Sequence, residues 1–227
     1  MQLTSGNLFA SWFPRPPTGY HRAMDAAHTA KPGYDRNAIV VGISGASGAV
    51  YGIRLLQALR EAGVATHLIV SPAAELTIAL ETDWSLDAVR GLATWNHDIG
   101  AIGAVLASGS FLTGGMVIAP CSVKTAAMIS NSIDENLLIR AADVTLKECR
   151  RLVLLVREAP LHVGHLRTLE QLALMGATVF PPVPAFYTRP QTVDDIVDET
   201  VGRVLNTLGI ENGLATPWQG ESGAGEL

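Results

Sequence analysis

The sequence predicts one three-layer α/β domain built on a mainly parallel sheet. Three observations carry this. From residue 39 onward, short β-branched apolar runs alternate with stretches of helical period. The first apolar run passes through glycines at 42, 45 and 48 straight into a helical pattern, the signature of strand, tight turn and helix. Polar or Gly/Pro-rich loops then recur after the strands, at 44–49, 71–75, 120–125 and 157–160. Strands alternating with helices pack as a parallel sheet covered on both faces. Ligands of such sheets bind beyond the carboxyl ends of the strands, where these four loops converge.

The elements follow in order. Strand 39–43 leads to helix 50–62, whose apolar positions include Leu55, Leu56 and Leu59. Strand 66–70 ends at Ser71, and a helix covers 72–80. A short amphipathic stretch spans 86–92, and 108–115 is a loop by composition. Met116 to Ala119 reads as a buried strand, followed by helix 125–130 and a polar break at 131–136. A helix over 138–149, strand 152–156, helix 162–175 and strand 177–180 come next. A turn stiffened by Pro181, Pro182, Pro184 and Pro190 precedes the last helix, 192–208. That helix carries Val193, Ile196, Val197, Val201, Val204, Leu205 and Leu208 as one stripe.

Residues 1–37 stand apart. Pro14, Pro16, Pro17 and Pro32 break any regular element, and no apolar period is visible. There is no apolar core of a secretory signal. The expectation is a segment outside the fold, disordered or preceding the native start, with the domain over 38–220 and a tail over 221–227.

Composition excludes several classes. A net charge of −5 argues against a nucleic-acid partner, which needs a basic face. No apolar run approaches the roughly 18–20 residues of a membrane span. Cys121 and Cys149 alone make no disulfide framework, so a reducing cytoplasm is expected. With 48% hydrophobic and only 16% charged residues, the chain is expected to hide surface in an oligomer.

The first loop reads G-x-x-G-x-x-G. It lacks the tight turn of the G-x-G-x-x-G dinucleotide motif and the Lys of a Walker loop. The second strand ends in Ser71, where a nicotinamide site wants a carboxylate. The loop therefore suggests a phosphate at a helix N-terminus, but neither NAD nor ATP hydrolysis. The plainer reading is a small-residue turn that permits strand–helix packing. Ser122 to Thr125 open a helix and can hold a ligand, or Ser122 can simply cap it. Cys121 has no base beside it, which favours packing. Arg140 and Lys147, seven residues apart, face one side of a helix. With Arg157 they can form an anion pocket, or they can pair with Asp143, Glu148 and Glu158 on the surface. Arg203 lies at the edge of the last apolar stripe, where it either snorkels to water or reaches a cleft beside Tyr187. Glu81 and Glu158 follow apolar segments near strand ends and serve as acid or base only if their surroundings tune them. His162 and His165 have no third ligand at metal-site spacing, so no metal is expected.

Six segments in order carry a resemblance: 42–52 (GISGASGAVYG), 80–83 (LETD), 120–125 (PCSVKT), 140–148 (RAADVTLKE), 156–161 (VREAPL) and 181–191 (PPVPAFYTRPQ). Together they resemble the UbiX flavin prenyltransferases, over about residues 37–220. The resemblance implies a Rossmann-like or flavodoxin-like fold that binds reduced FMN without metal. It implies transfer of the dimethylallyl group of dimethylallyl phosphate to flavin N5, with ring closure at C6. The prenylated FMN serves a UbiD-type decarboxylase, often in ubiquinone synthesis. Members commonly form dodecamers with sites at subunit junctions.

Carried onto this chain, the resemblance gives FMN to Gly45, Ala46, Ser47, Ser71, Ser122, Val123, Lys124, Thr125 and Arg157. Tyr187 and Arg203 would bind the prenyl phosphate, with Arg140 and Lys147 adding charge. Ser47, Glu81, Lys147 and Glu158 would serve the reaction itself, Ser47 and Glu81 near N5 and Glu158 near the phosphate. Cys149 departs from the family pattern, and residues 1–37 have no counterpart in it. Two other readings stay open: a flavin-dependent cysteine decarboxylase of the same fold, and a non-enzymatic FMN carrier.

Overall fold

The computed structural model describes residues 34–218 and residue 220. The expected outer segments, 1–37 except its last four residues and 221–227, lie outside the described residues. The strands are β1 (Ile39–Ile43), β2 (Thr66–Val70), β3 (Trp95–His97), β4 (Gly115–Cys121), β5 (Leu152–Val156) and β6 (Thr178–Val179). The helices are α1 (Ala49–Glu61), α2 (Pro72–Glu81), α3 (Leu86–Arg90), α4 (Val123–Ser130), α5 (Leu137–Lys147), α6 (Val163–Leu174) and α7 (Val193–Leu208). Two short 3-10 turns, Val105–Ala107 and Phe186–Thr188, complete the set.

All strand pairs are parallel, in the order β3-β2-β1-β4-β5-β6. This is the Rossmann order, with the switch point between β1 and β4. Without β3, the five strands expected from sequence would run 2-1-3-4-5, the flavodoxin-like order. The three-residue β3, absent from the sequence reading, decides between the two. Trp95, Asn96 and His97 form no apolar run and are only half-buried or exposed, so no strand signal marks them.

The strands read as continuous apolar runs because both faces are covered. Alternate side chains serve opposite layers. Ile39, Val41 and Ile43 of β1 join α1 and α7 in one core, and Val40 joins α4 and α5 in the other. Gly52 lets α1 close on the sheet, since a Cβ there would lie 2.3 Å from the carbonyl oxygen of Ala119. Helix starts follow cap chemistry. Ser71, Ser122, Asn136 and Thr192 each accept a backbone N–H three residues on. The Ser122 cap starts α4 two residues before the expected 125.

Candidate active site

The loops after β1, β2, β3, β4 and β5 enclose a cleft of about 830 Å³, within the usual range for small-molecule sites. Gly45, Ala46, Ser47, Ser71, Ser122, Val123, Lys124, Thr125, Arg157 and Glu158 all line it. Four of these five loops, distant in sequence, supply those residues, as the switch-point rule requires.

The first loop is fixed by contacts the sequence reading did not anticipate. Buried Ser44 donates its hydroxyl to the Pro120 carbonyl at 2.9 Å and accepts the Ser122 N–H at 2.8 Å. This locks the turn after β1 to the turn after β4 across the switch point. Gly45 presses on α2, where a Cβ would fall 2.3 Å from that of Ala73. Gly48 has φ 103°, a conformation that favours glycine.

The N-terminus of α1 already faces an anion. Glu81 Oε2 accepts the N–H of Gly48 at 2.7 Å and of Ala49 at 3.3 Å. The sequence reading offered these groups to a ligand phosphate; in the structure a side chain of the protein takes them. Partial desolvation pushes the Glu81 carboxyl up. The Gly48 N–H, the Ser47 hydroxyl, the Ala49 N–H and the Arg157 charge outweigh it and hold Glu81 below its ordinary value. Glu81 is therefore ionised at neutral pH beside the cleft's lip.

A ligand anion is left with the other helix starts at the cleft, those of α2, α4 and α5, whose caps Ser71, Ser122 and Asn136 line it. Ser122 caps α4, accepting the Thr125 N–H at 3.1 Å and donating to the Thr125 hydroxyl at 3.0 Å. Capping and cleft lining, which the sequence left as alternatives, coexist in this residue. Lys124 and Arg157 line the same cleft, and neither is tied by a salt bridge or side-chain hydrogen bond among the described residues. Two cations free of salt bridges among the described residues, beside a helix N-terminus, suit a phosphate. The cleft is also lined by Ile99, Gly100, Met128, Glu135, Asn136, Leu138 and Ile139, none of them singled out from sequence. Ile99 and Gly100 follow the unrecognised β3, whose carboxyl end obeys the same rule.

The remaining candidates do not line the cleft. Arg140 pairs with Asp134 at 2.8 Å and Asp143 at 3.0 Å and donates to the Ala107 carbonyl at 3.2 Å. Lys147 pairs with Glu148. Within one chain the surface-pairing alternative describes both. Tyr187 turns its hydroxyl to Glu199 and the Thr216 carbonyl. The exposed Arg203 lies over the Phe180 ring, 5.6 Å from its centroid. Cys121 is fully buried, which pushes its thiol up to about 12 and leaves it a packing residue. His162 and His165 stack at 3.6 Å, and His162 Nδ1 caps α6. Among the described residues no group of three or more His, Cys, Asp or Glu is placed to hold a metal.

A Thauera aromatica protein named flavin prenyltransferase UbiX is 56% identical over 182 residues, covering 80% of this chain and 94% of its own. This chain belongs to the UbiX flavin prenyltransferase family. Residues 28–205 also match the broader flavoprotein family. The solved AnUbiX structure, in complex with FMN and dimethylallyl pyrophosphate, has 46% identity and a TM-score of 0.81, covering 82% of this chain and 99% of its own. A dodecameric FMN-dependent UbiX-like decarboxylase from Escherichia coli O157:H7 has 49% identity and a TM-score of 0.79, covering 81% of this chain and all of its own. Among the described residues, no helix is long and apolar enough to cross a membrane.

Proposed function

We propose that this protein transfers the dimethylallyl group of dimethylallyl phosphate to reduced FMN in the cytoplasm. The observation that carries the reading is the cluster of Glu81, Ser47 and Arg157 at the lip of an open cleft whose cations are free of salt bridges among the described residues. A flavin carrier has no use for a carboxylate held ionised beside its ligand. Among the described residues no histidine lines the cleft, which gives the cysteine-decarboxylase reading no imidazole there.

The cleft suits FMN. Gly45 lets the first loop close on Ala73, Ser71 and Ser122 to Thr125 offer hydroxyls and a helix N-terminus, and Lys124 and Arg157 supply charge. Reduced FMN brings the nucleophilic N5 and, for ring closure, C6. The chain's residues do the rest. Arg157 and Lys124 hold anionic groups, and positive charge lowers the barrier as negative charge grows on a departing phosphate. Leu138, Ile139, Met128 and Ile99 keep water from an allylic centre. Clamping both reactants contributes several kcal/mol, on the order of the 7–11 available from orientation. Ser47 fixes Glu81, and Glu81 takes the proton that leaves as the bond to N5 forms. Glu158 lies on the phosphate side.

Tyr187 and Arg203 are assigned to the prenyl phosphate, with Arg140 and Lys147 adding charge from a neighbouring subunit. Their absence from the cleft lining of a single chain favours a site completed by assembly. Apolar residues left uncovered point the same way: Leu80 is 74% exposed, Leu174 82% and Phe186 72%. A dodecamer handing its product to a UbiD-type decarboxylase, in ubiquinone synthesis, completes the reading. Residues 38–220 form the catalytic domain in it, with 1–37 and 221–227 outside.

The test is a titration of dimethylallyl phosphate into the FMN-bound protein. Arg203→Ala is expected to weaken binding by about one to two decades, since a lost charge-assisted hydrogen bond costs roughly 1.5–3 kcal/mol. Tyr187→Phe removes a neutral donor and should cost less. FMN affinity should hold in both, and a chain trimmed to begin at Asn37 should behave as wild type. Unchanged phosphate binding in Arg203→Ala would favour the carrier; loss of FMN instead would mean the two ligands are exchanged.

A further inference from the structure

Tyr187 sits on a surface turn, 45% exposed, and its ring meets Trp218 of the C-terminal segment edge-on, with centroids 5.4 Å apart. Its hydroxyl is the group that matters for a phosphate, and Glu199 is what it meets. Glu199 is only 6% exposed and makes no salt bridge among the described residues. A buried carboxylate without a cation is costly unless hydrogen bonds compensate it. Both of its oxygens are used. Oε2 accepts the Thr216 N–H at 2.9 Å, and Oε1 accepts the Tyr187 hydroxyl at 3.4 Å. One side chain of α7 thus bridges the 186–188 turn and the C-terminal segment.

That segment is seated on α7 by a second device. Asn212 Nδ2 donates to the Gly202 carbonyl at 3.2 Å, and a Cβ on Gly202 would fall 2.5 Å from the Ala215 nitrogen. The fit is therefore built into the helix one turn beyond Glu199. The Tyr187 hydroxyl has one proton and two long contacts, 3.4 Å to Glu199 and 3.2 Å to the Thr216 carbonyl. Bonds of that length are weak. That proton serves one acceptor at a time, so Glu199 and the Thr216 carbonyl place the hydroxyl before the prenyl donor arrives. A phosphate oxygen then takes the proton over at little cost, while the 2.9 Å bond from the Thr216 N–H to Glu199 keeps the segment in place.

We propose that Glu199 is a positioning residue that joins the Tyr187 turn and the C-terminal segment into one unit and so presents the Tyr187 hydroxyl to the anionic end of the prenyl donor. Its effect on donor binding rests on the assignment of Tyr187 to the phosphate; the joint itself does not.

The experiment compares wild type, Glu199→Ala and Glu199→Gln as FMN-bound protein. Amide exchange is read by mass spectrometry, and dimethylallyl phosphate is titrated. Glu199→Ala is expected to speed exchange in peptides spanning both 186–188 and Thr216. It should weaken phosphate binding by up to about tenfold, the worth of one neutral hydrogen bond, with FMN affinity unchanged. Glu199→Gln, which still accepts the Thr216 N–H, should restore both. In a Tyr187→Phe background, Glu199→Ala should weaken phosphate binding no further, because the two act through one group. Unaltered exchange in either segment overturns the proposal, as does loss of FMN with the phosphate. Faster exchange in both segments, rescued by Gln, with phosphate affinity intact keeps the joint and removes Tyr187 from the phosphate site.

Discussion

Glu81→Gln is expected to slow prenyl transfer by about 10²–10⁴-fold, the usual worth of one acid–base group, while FMN stays bound. Glutamine keeps the carbonyl oxygen that accepts the Gly48 and Ala49 N–H groups, so the first loop should keep its shape. What it loses is the charge and the ability to take a proton. The wild-type carboxylate, held below its ordinary value by those N–H groups and its neighbours Ser47 and Arg157, is in its accepting form at neutral pH. The comparison is a single-turnover rate measured anaerobically with reduced FMN in both proteins. A rate equal to wild type would remove Glu81 from the mechanism and return it to the role of a helix cap.

Ser47→Leu is expected to abolish flavin binding without unfolding the protein. Ser47 is exposed at the lip of the cleft, so the fold has little stake in it; such surface changes usually stay within about 0.5 kcal/mol. A branched apolar chain there projects where the ligand must enter, and it removes the hydroxyl beside Glu81. Thermal melting should be near wild type, and gel-filtered protein should carry no flavin absorbance. Full flavin occupancy in a folded Ser47→Leu protein would mean that the ligand does not enter along this loop.

Much of this site was legible because its parts are local. Strand β1, the glycine turn and α1 follow one another in sequence, and hydrophobic period with glycine spacing reports them directly. Ser71 and Ser122 were legible as helix starts for the same reason. Ser44 was not, since its importance lies in Pro120 and Ser122, more than 70 residues away. Strand β3 escaped because its three residues have no apolar run, and with it went the wall at Ile99 and Gly100. Spacing placed Arg140 and Lys147 on one side of α5. In the structure Arg140 bonds the Ala107 carbonyl and the Lys147 amine lies beside Gly109, so both face the same loop. Spacing carries no information about partners, and Asp134, Asp143 and Glu148 took them. The role of Glu81 came from resemblance; its hydrogen bonds to Gly48 and Ala49 needed the fold.

The most direct measurement is an anaerobic incubation of the protein with reduced FMN and dimethylallyl phosphate, followed by mass spectrometry of the released flavin. Prenyl transfer predicts flavin heavier by one prenyl unit, formed with wild type and strongly slowed with Glu81→Gln. Recovery of unmodified FMN alone, from protein shown to bind both ligands, would contradict it.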